Sequence, residues 1–262
     1  MEKGQCKLCL KDNVELLTKS HIIPKFLFED MKDDYNSFLQ IDLDNYVKGR
    51  RQHIKNQRDS FHESGILCVN CDGKIIKEYE DYLKLTFHST SKPVSRPYFI
   101  DGIQSSKGFS ILKIDNLDYR LYKLGFLSIL WRASISSLPF FKSIDLGPHS
   151  EVIRKMILNG DALQENNYPF ITSIFNRVND DFQIVLPITK FKLMNYVHYR
   201  IIINGLDVIF MIGSKNLELA SVLYDFVPNN SGKMNVIMHK KYYAKNMMLS
   251  FVSKTNISRP KY

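Results

Sequence analysis

Between its first and last cysteines the chain reads Cys6-Lys7-Leu8-Cys9, then Ser20-His21-Ile22-Ile23-Pro24-Lys25-Phe26, then Cys68-Val69-Asn70-Cys71-Asp72. The two C-x2-C pairs use all four cysteines of the 262-residue protein. A C-x2-C turn aims two sulfurs at one point, and a tetrahedral zinc ion takes two such turns. The spacing therefore predicts a structural zinc site made by Cys6, Cys9, Cys68 and Cys71. Between the knuckles, His21 heads a short apolar run. Imidazole titrates near neutral pH and suits the work of a general base, although a lone histidine in such a run is more often structural.

The flanking sequence follows from this frame. β-branched residues and Pro24 suggest a strand ending at Ile23, and a short helix is expected over Phe26–Met31. Residues 32–65 are polar and hold a basic cluster that includes Lys48, Arg50, Arg51, His53, Lys55 and Arg58. A solvated loop and a phosphate track are equal readings of that cluster. After the second knuckle, Ile75, Ile76, Tyr79, Leu83 and Phe87 fall on one helical face. Asp72 stands at the start of this helix, where it could be an oxygen ligand for magnesium or an N-cap.

Two prolines, Pro93 and Pro97, and the turn Ser105-Ser106-Lys107-Gly108 suggest a linker. The expected organisation is a zinc-clamped module over 1–92, a linker over 93–114, and a C-terminal domain over 115–262. Apolar spacing predicts a long helix over Asp115–Ser137, capped by Asp115 or Asn116. A second runs to Leu158 and is ended by Asn159-Gly160. The period then changes to that of strands. Candidate strands cover Phe182–Leu186 and Val236–His239. Tyr196–Ile203, Asn204-Gly205 and Leu206–Ile212 form a hairpin signal, because Asn-Gly supplies the positive φ angles of a type I′ turn. The class is α+β: a small zinc-clamped ββα module, then helices, then an antiparallel sheet.

Composition limits the partners. The net charge is +9. Residues 1–100 hold 16 Lys and Arg against 15 Asp and Glu, whereas the rest holds 20 against 12. No acidic residue follows Asp225. A polyanionic partner is expected, with a solvated basic tail as the plainer reading. No apolar run approaches the ~20 residues of a membrane span. The opening Met1–Cys9 has no secretory h-region, so cytoplasmic residence and reduced thiols are expected.

Taken together, C-x2-C, the Ser20–Phe26 run and the second C-x2-C with its acid resemble the HNH endonucleases of the ββα-metal fold, in a zinc-stabilised bacterial form. The likeness covers residues 1 to about 90. Leu127–Phe141 and Leu146–Ile157 resemble the C-terminal region of the same group. The resemblance implies a hydrolase that cuts phosphodiester bonds, of DNA ahead of RNA. It makes His21 the general base, with zinc on the cysteines and one magnesium or manganese ion near Asp72 and Glu80. It implies nucleic-acid contacts by Lys25, Arg50, Arg51 and Lys55. It also suggests an anti-phage or mobile-element setting with an ATPase or regulatory partner. The alternative is a degenerate module that binds nucleic acid or a partner without cutting. Ser20 stands where the family carries an acid, and Asp72 where it carries a histidine. The middle asparagine of the pattern has no unique match, and Asn56, Asp59, His62 and Glu63 are all in reach.

Overall fold

The computed structural model describes residues 2–31, 38–41, 54–57, 59–88, 97–104, 109–175, 185–193, 196–213 and 223–239. The first knuckle is a small hairpin of β1 (Lys3–Gly4) and β2 (Val14–Glu15). Its turn needs left-handed backbone at Leu10 (φ 59°) and Asn13 (φ 54°). Next come β3 (Ser20–His21) and a 3₁₀ helix over Lys25–Met31. The strand stops at His21, short of Ile23, and Pro24 opens the 3₁₀ turn by accepting from Leu27 N–H at 3.1 Å. β4 (Phe38–Ile41) and β5 (Ile54–Gln57) pair with each other. β6 (His62–Glu63) then returns antiparallel to β3, with His21 opposite His62 and Ser20 opposite Glu63.

The chain next enters a helix whose first turn, Cys71–Ile76, is of π type, before α1 (Lys77–His88). The antiparallel pair β3 and β6, with the β4–β5 pair between them in sequence, thus precedes this helix. Asn70, not Asp72, holds the N-cap position, and Asp72 lies within the first turn. Ile76, Tyr79 and Leu83 are buried, with Ile75 and Phe87 packed at the edge, as the helical spacing requires.

Residues 93–114, read as a linker, contain most of a hairpin: β7 (Tyr98–Gln104) pairs with β8 (Phe109–Asp115). Ser105–Gly108, which suggested a break, lies outside the described residues, between β7 and β8 in sequence. α2 runs over Tyr119–Ile135 and starts at neither Asp115 nor Asn116. Asp115 is the last residue of β8 and Asn116 takes φ 59°, so Asp118 caps, accepting from Leu121 N–H at 2.9 Å. α3 (His149–Asn159) ends on Gly160 in left-handed conformation, φ 69°.

The remaining strands are β9 (Phe170–Phe175), β10 (Val185–Leu193), β11 (Tyr196–Ile203), β12 (Leu206–Ile212) and β13 (Met234–His239). Asn204 (φ 43°) and Gly205 (φ 81°) make the expected turn between β11 and β12. Among the described residues, seven strands form one sheet in the order β10-β11-β12-β9-β13-β8-β7. All neighbours are antiparallel except β13 and β9. Of the expected strand over Phe182–Leu186, the first three residues lie outside the described residues, and the basic tail beyond His239 does too.

α2 is buried nearly all round because it sits between the sheet and α1. Tyr122 and Phe126 pack on Phe170 of β9 and on Phe87 of α1. A Cβ on Gly125 would meet Leu83 side-chain atoms at 2.8 Å, so the glycine sets how closely α1 and α2 approach. One buried cluster runs from Leu8 and Ile22 through Tyr79 and Trp131 to Phe210 and Val236. The N-terminal four-cysteine module and the C-terminal helices share this core.

Candidate active site and metal centre

The four cysteines converge. One ligand atom from each of Cys6, Cys9, Cys68 and Cys71 lies within 4.8 Å of all the others. Three of them are buried and Cys9 is partly exposed. Backbone pairing brings the knuckles together. Lys7 N–H donates to the Ile66 carbonyl at 2.9 Å, Leu17 N–H to the Leu67 carbonyl at 3.0 Å, and Leu16 bridges to Cys68. Cys68 N–H points at the Cys6 sulfur, 3.3 Å away. The hydrogen bond from Cys71 holds the Cys6 thiol down to about 4, against the opposing effect of burial. Cys71 moves up, first because Cys6 is its partner and then because it is buried. A crowded, largely buried set of four soft donors fits a tetrahedral thiolate-bound metal.

Arg154 of α3 supports this centre from outside. It donates to the Leu8 carbonyl inside the first knuckle and to both oxygens of Glu151 at 2.7 and 2.8 Å. Its charge faces the Cys6 and Cys9 sulfurs, where it offsets the negative charge of thiolates.

A second cluster surrounds His21. The Asp59 carboxylate lies between two imidazoles, 3.7 Å from His21 Nε2 and 3.7 Å from His62 Nδ1. The two rings are 6.1 Å apart at an edge-on 67°. Burial opposes ionisation of Asp59. Hydrogen bonds from Lys19 and from Ser60 N–H, with the charge of His62, outweigh it and hold the carboxyl below its usual range. Phe61 anchors this segment by stacking on Phe140, centroids 4.2 Å apart, and by edge contacts with Phe141. Glu63 turns away from the rings. Its carboxylate takes hydrogen bonds from Ser136 Oγ and from the N–H and Oγ of Ser137.

Beneath the His21 strand lies a buried charge network. Arg132 of α2 is 0% exposed. It donates to the His21 carbonyl, to Glu80 Oε1 at 2.6 Å and to the Ser128 carbonyl at 3.2 Å. Asp72 is within the field of this network. Burial raises its pKa and Glu80 adds to the rise, while Arg132, His21 and Ser20 pull the other way. The Ser20 side chain is 0% exposed and faces Asp72, yet its hydroxyl closes no hydrogen bond of standard geometry among the described residues. The buried Ser60 hydroxyl is in the same condition.

Among the expected site residues, His21, Asp72 and Glu80 therefore meet around Arg132, which engages Glu80, and the four cysteines form a cluster of their own. Lys25 is exposed at the start of the 3₁₀ helix. Arg50 and Arg51 lie outside the described residues, and Lys55 is described only as part of β5. Asn56 is likewise a β5 residue. Of the four matches left open for the middle position, Asp59 and His62 stand beside His21. Arg132 was not singled out in the sequence, although a charge inside the apolar run Leu127–Ile135 was the available signal. Among the described residues the cysteine cluster is the one group with metal-ligand spacing. No helix of the described residues is long and apolar enough to cross a membrane. No family model, curated protein or solved structure matches this chain.

Proposed function

We propose that this protein is a metal-dependent nuclease of HNH type that hydrolyses phosphodiester bonds, in DNA ahead of RNA. The observation that carries the reading is His21 itself. Its partly exposed imidazole lies beside Asp59, in the field of Asp72, and the chain just before its strand, at Leu16, bridges to Cys68 of the four-cysteine cluster. The Asp59 carboxylate, 3.7 Å from His21 Nε2, electrostatically favours the hydrogen on that nitrogen, which leaves the Nδ1 lone pair to accept a proton from water.

Zinc fits the cysteines and has a structural task there, because a module with strands of two residues has little core of its own. Asp72 is the carboxylate for a magnesium or manganese ion, which when bound would stabilise negative charge on the phosphoryl oxygens. A buried carboxyl whose pKa is raised, next to an unsatisfied serine hydroxyl, suits a site that gains from a cation. Glu80 supports the ion less directly, since Arg132 takes one of its oxygens. The net charge of +9 favours the polyanionic substrate. A defence or mobile-element setting with a gating ATPase is proposed on the family resemblance alone.

The second reading, binding without cleavage, is favoured by Ser20 standing in place of an acid and by the engagement of Glu80. Linear duplex DNA and single-stranded RNA of equal length, incubated with protein in magnesium and in manganese, separate the two. Cleavage that disappears in His21→Ala supports the nuclease. Retained binding with no cleavage in either metal supports the second reading.

A further inference from the structure

His62 has no task in the mechanism above, yet its placement is specific. It sits directly across the β3–β6 ladder from His21, so both rings project from one face. Both are partly exposed, at 28% and 31%. The His62 Nδ1 atom lies 3.0 Å from the Ser60 carbonyl. A carbonyl oxygen only accepts, so Nδ1 carries the hydrogen. The atom that can exchange a proton with a ligand is therefore Nε2, on the far side of the ring. Asp59 lies 3.7 Å from the same Nδ1. Among the described residues, the other charged and titratable groups near the ring are His21 on β3 and Lys19, which is bonded to Asp59 at 3.2 Å. Glu63, next in sequence, is committed to Ser136 and Ser137.

We propose that His62 is the general acid of the reaction, giving its Nε2 proton to the leaving oxygen; this rests on the nuclease reading of His21. His21 removes a proton from water, and the resulting hydroxide oxygen bonds to phosphorus. The bond from phosphorus to the 3′ oxygen breaks, and that oxygen takes its proton from His62. The sum is one water consumed, with one phosphomonoester and one free hydroxyl formed. His21 ends protonated and His62 neutral, and exchange with solvent water resets both. In an in-line displacement the attacking and leaving oxygens lie on opposite sides of phosphorus, each starting or ending about 3 Å from it. Each must also come within about 2.6–3.2 Å of its nitrogen. Asp59 takes the His21 Nε2 and His62 Nδ1 sides, so the group would meet the other two nitrogens, His21 Nδ1 and His62 Nε2, of rings whose centroids are 6.1 Å apart on one face. A metal bridging the rings fits less well, because the histidines and Asp59 do not form a group with metal-ligand spacing.

The test uses two oligonucleotides, one with the ordinary linkage and one with sulfur in place of the bridging 3′ oxygen. A thiolate leaves without needing a proton. Full-length wild type, His62→Ala, His62→Gln and His21→Ala are compared in manganese, with zinc content and melting temperature measured for each. The proposal expects both His62 variants to lose on the order of 10²–10⁴-fold on the ordinary linkage. On the sulfur linkage they should cut within a few-fold of wild type, while His21→Ala stays slow on both. Equal losses of the His62 variants on both linkages, or no loss on either, overturn the acid role while leaving the nuclease reading intact. Wild type inactive on both linkages overturns the nuclease reading and the acid role together.

Discussion

Arg132→Ala is the substitution that most sharply tests how the two halves of the chain are joined. The side chain is 0% exposed, and its partner Glu80 is 23% exposed at 2.6 Å. Truncation removes the guanidinium from Glu80, from the His21 carbonyl and from the Ser128 carbonyl. It leaves a largely buried carboxylate uncompensated and a cavity in α2. Breaking one partner of such a pair costs about 3–5 kcal/mol, a large share of the ~5–15 kcal/mol that holds a domain folded. The pair itself is worth less than this loss, since desolvation offsets much of its Coulomb energy. Arg132→Met combined with Glu80→Gln removes both charges and keeps most of the volume, so it should recover at least half of the loss. Urea unfolding at fixed zinc content reads both values. Because Arg132 also holds the His21 strand, the proposed nuclease activity should fall in the double variant although much of its stability returns. A loss below about 1 kcal/mol in Arg132→Ala, or a double variant as unstable as the single, would refute this account of the network.

Three further outcomes follow from the same structure. Lys123 is buried, bonded to Tyr119 Oη and the Gln164 carbonyl at 2.8 Å each, and burial depresses its pKa to about 7. The unfolded chain binds this proton below about pH 10.5 and the folded one only below about pH 7, so wild-type stability should rise with pH across that window. The gain, relative to Lys123→Met, is on the order of 4 kcal/mol, read from urea melts of both proteins at pH 7 and 10. Gly125→Ala should cost about 1–3 kcal/mol in the same melts, since its methyl group meets Leu83 and drives α1 from α2. Cys68→Ser should abolish stoichiometric zinc and, because the core is shared, should broaden or lower the melt of the whole chain by near-ultraviolet circular dichroism. An unchanged melt would show that the cysteine cluster holds no structural ion.

What the sequence disclosed depends on how local the determining physics is. The C-x2-C knuckles, the Asn204-Gly205 turn and the apolar spacing of α2 are each settled by a few neighbouring residues, and each was readable. The β7–β8 hairpin was hidden because Ser105–Gly108 signals a turn equally well between domains and between strands. β9 was missed, and its placement between β12 and β13 depends on pairings made far along the chain. His21 was legible as a base candidate through its position between the knuckles. Its companions were not: Asp59 and His62 reach it only because β6 returns in one particular register. Arg132 reaches it only because α2 packs under the strand. The expectation of two separable domains failed to anticipate that Arg132 and Arg154, both on later helices, bond carbonyls of His21 and Leu8.

The most direct measurement of the central claim is single-turnover cleavage of supercoiled plasmid by wild type and His21→Ala, at matched zinc content, with magnesium and then manganese. The account predicts nicking by wild type that needs the added ion. It predicts loss of at least about 10²-fold in His21→Ala, as befits removal of a general base, with melting unchanged. Nicking of equal rate in both proteins, or none by wild type in either metal, would contradict it.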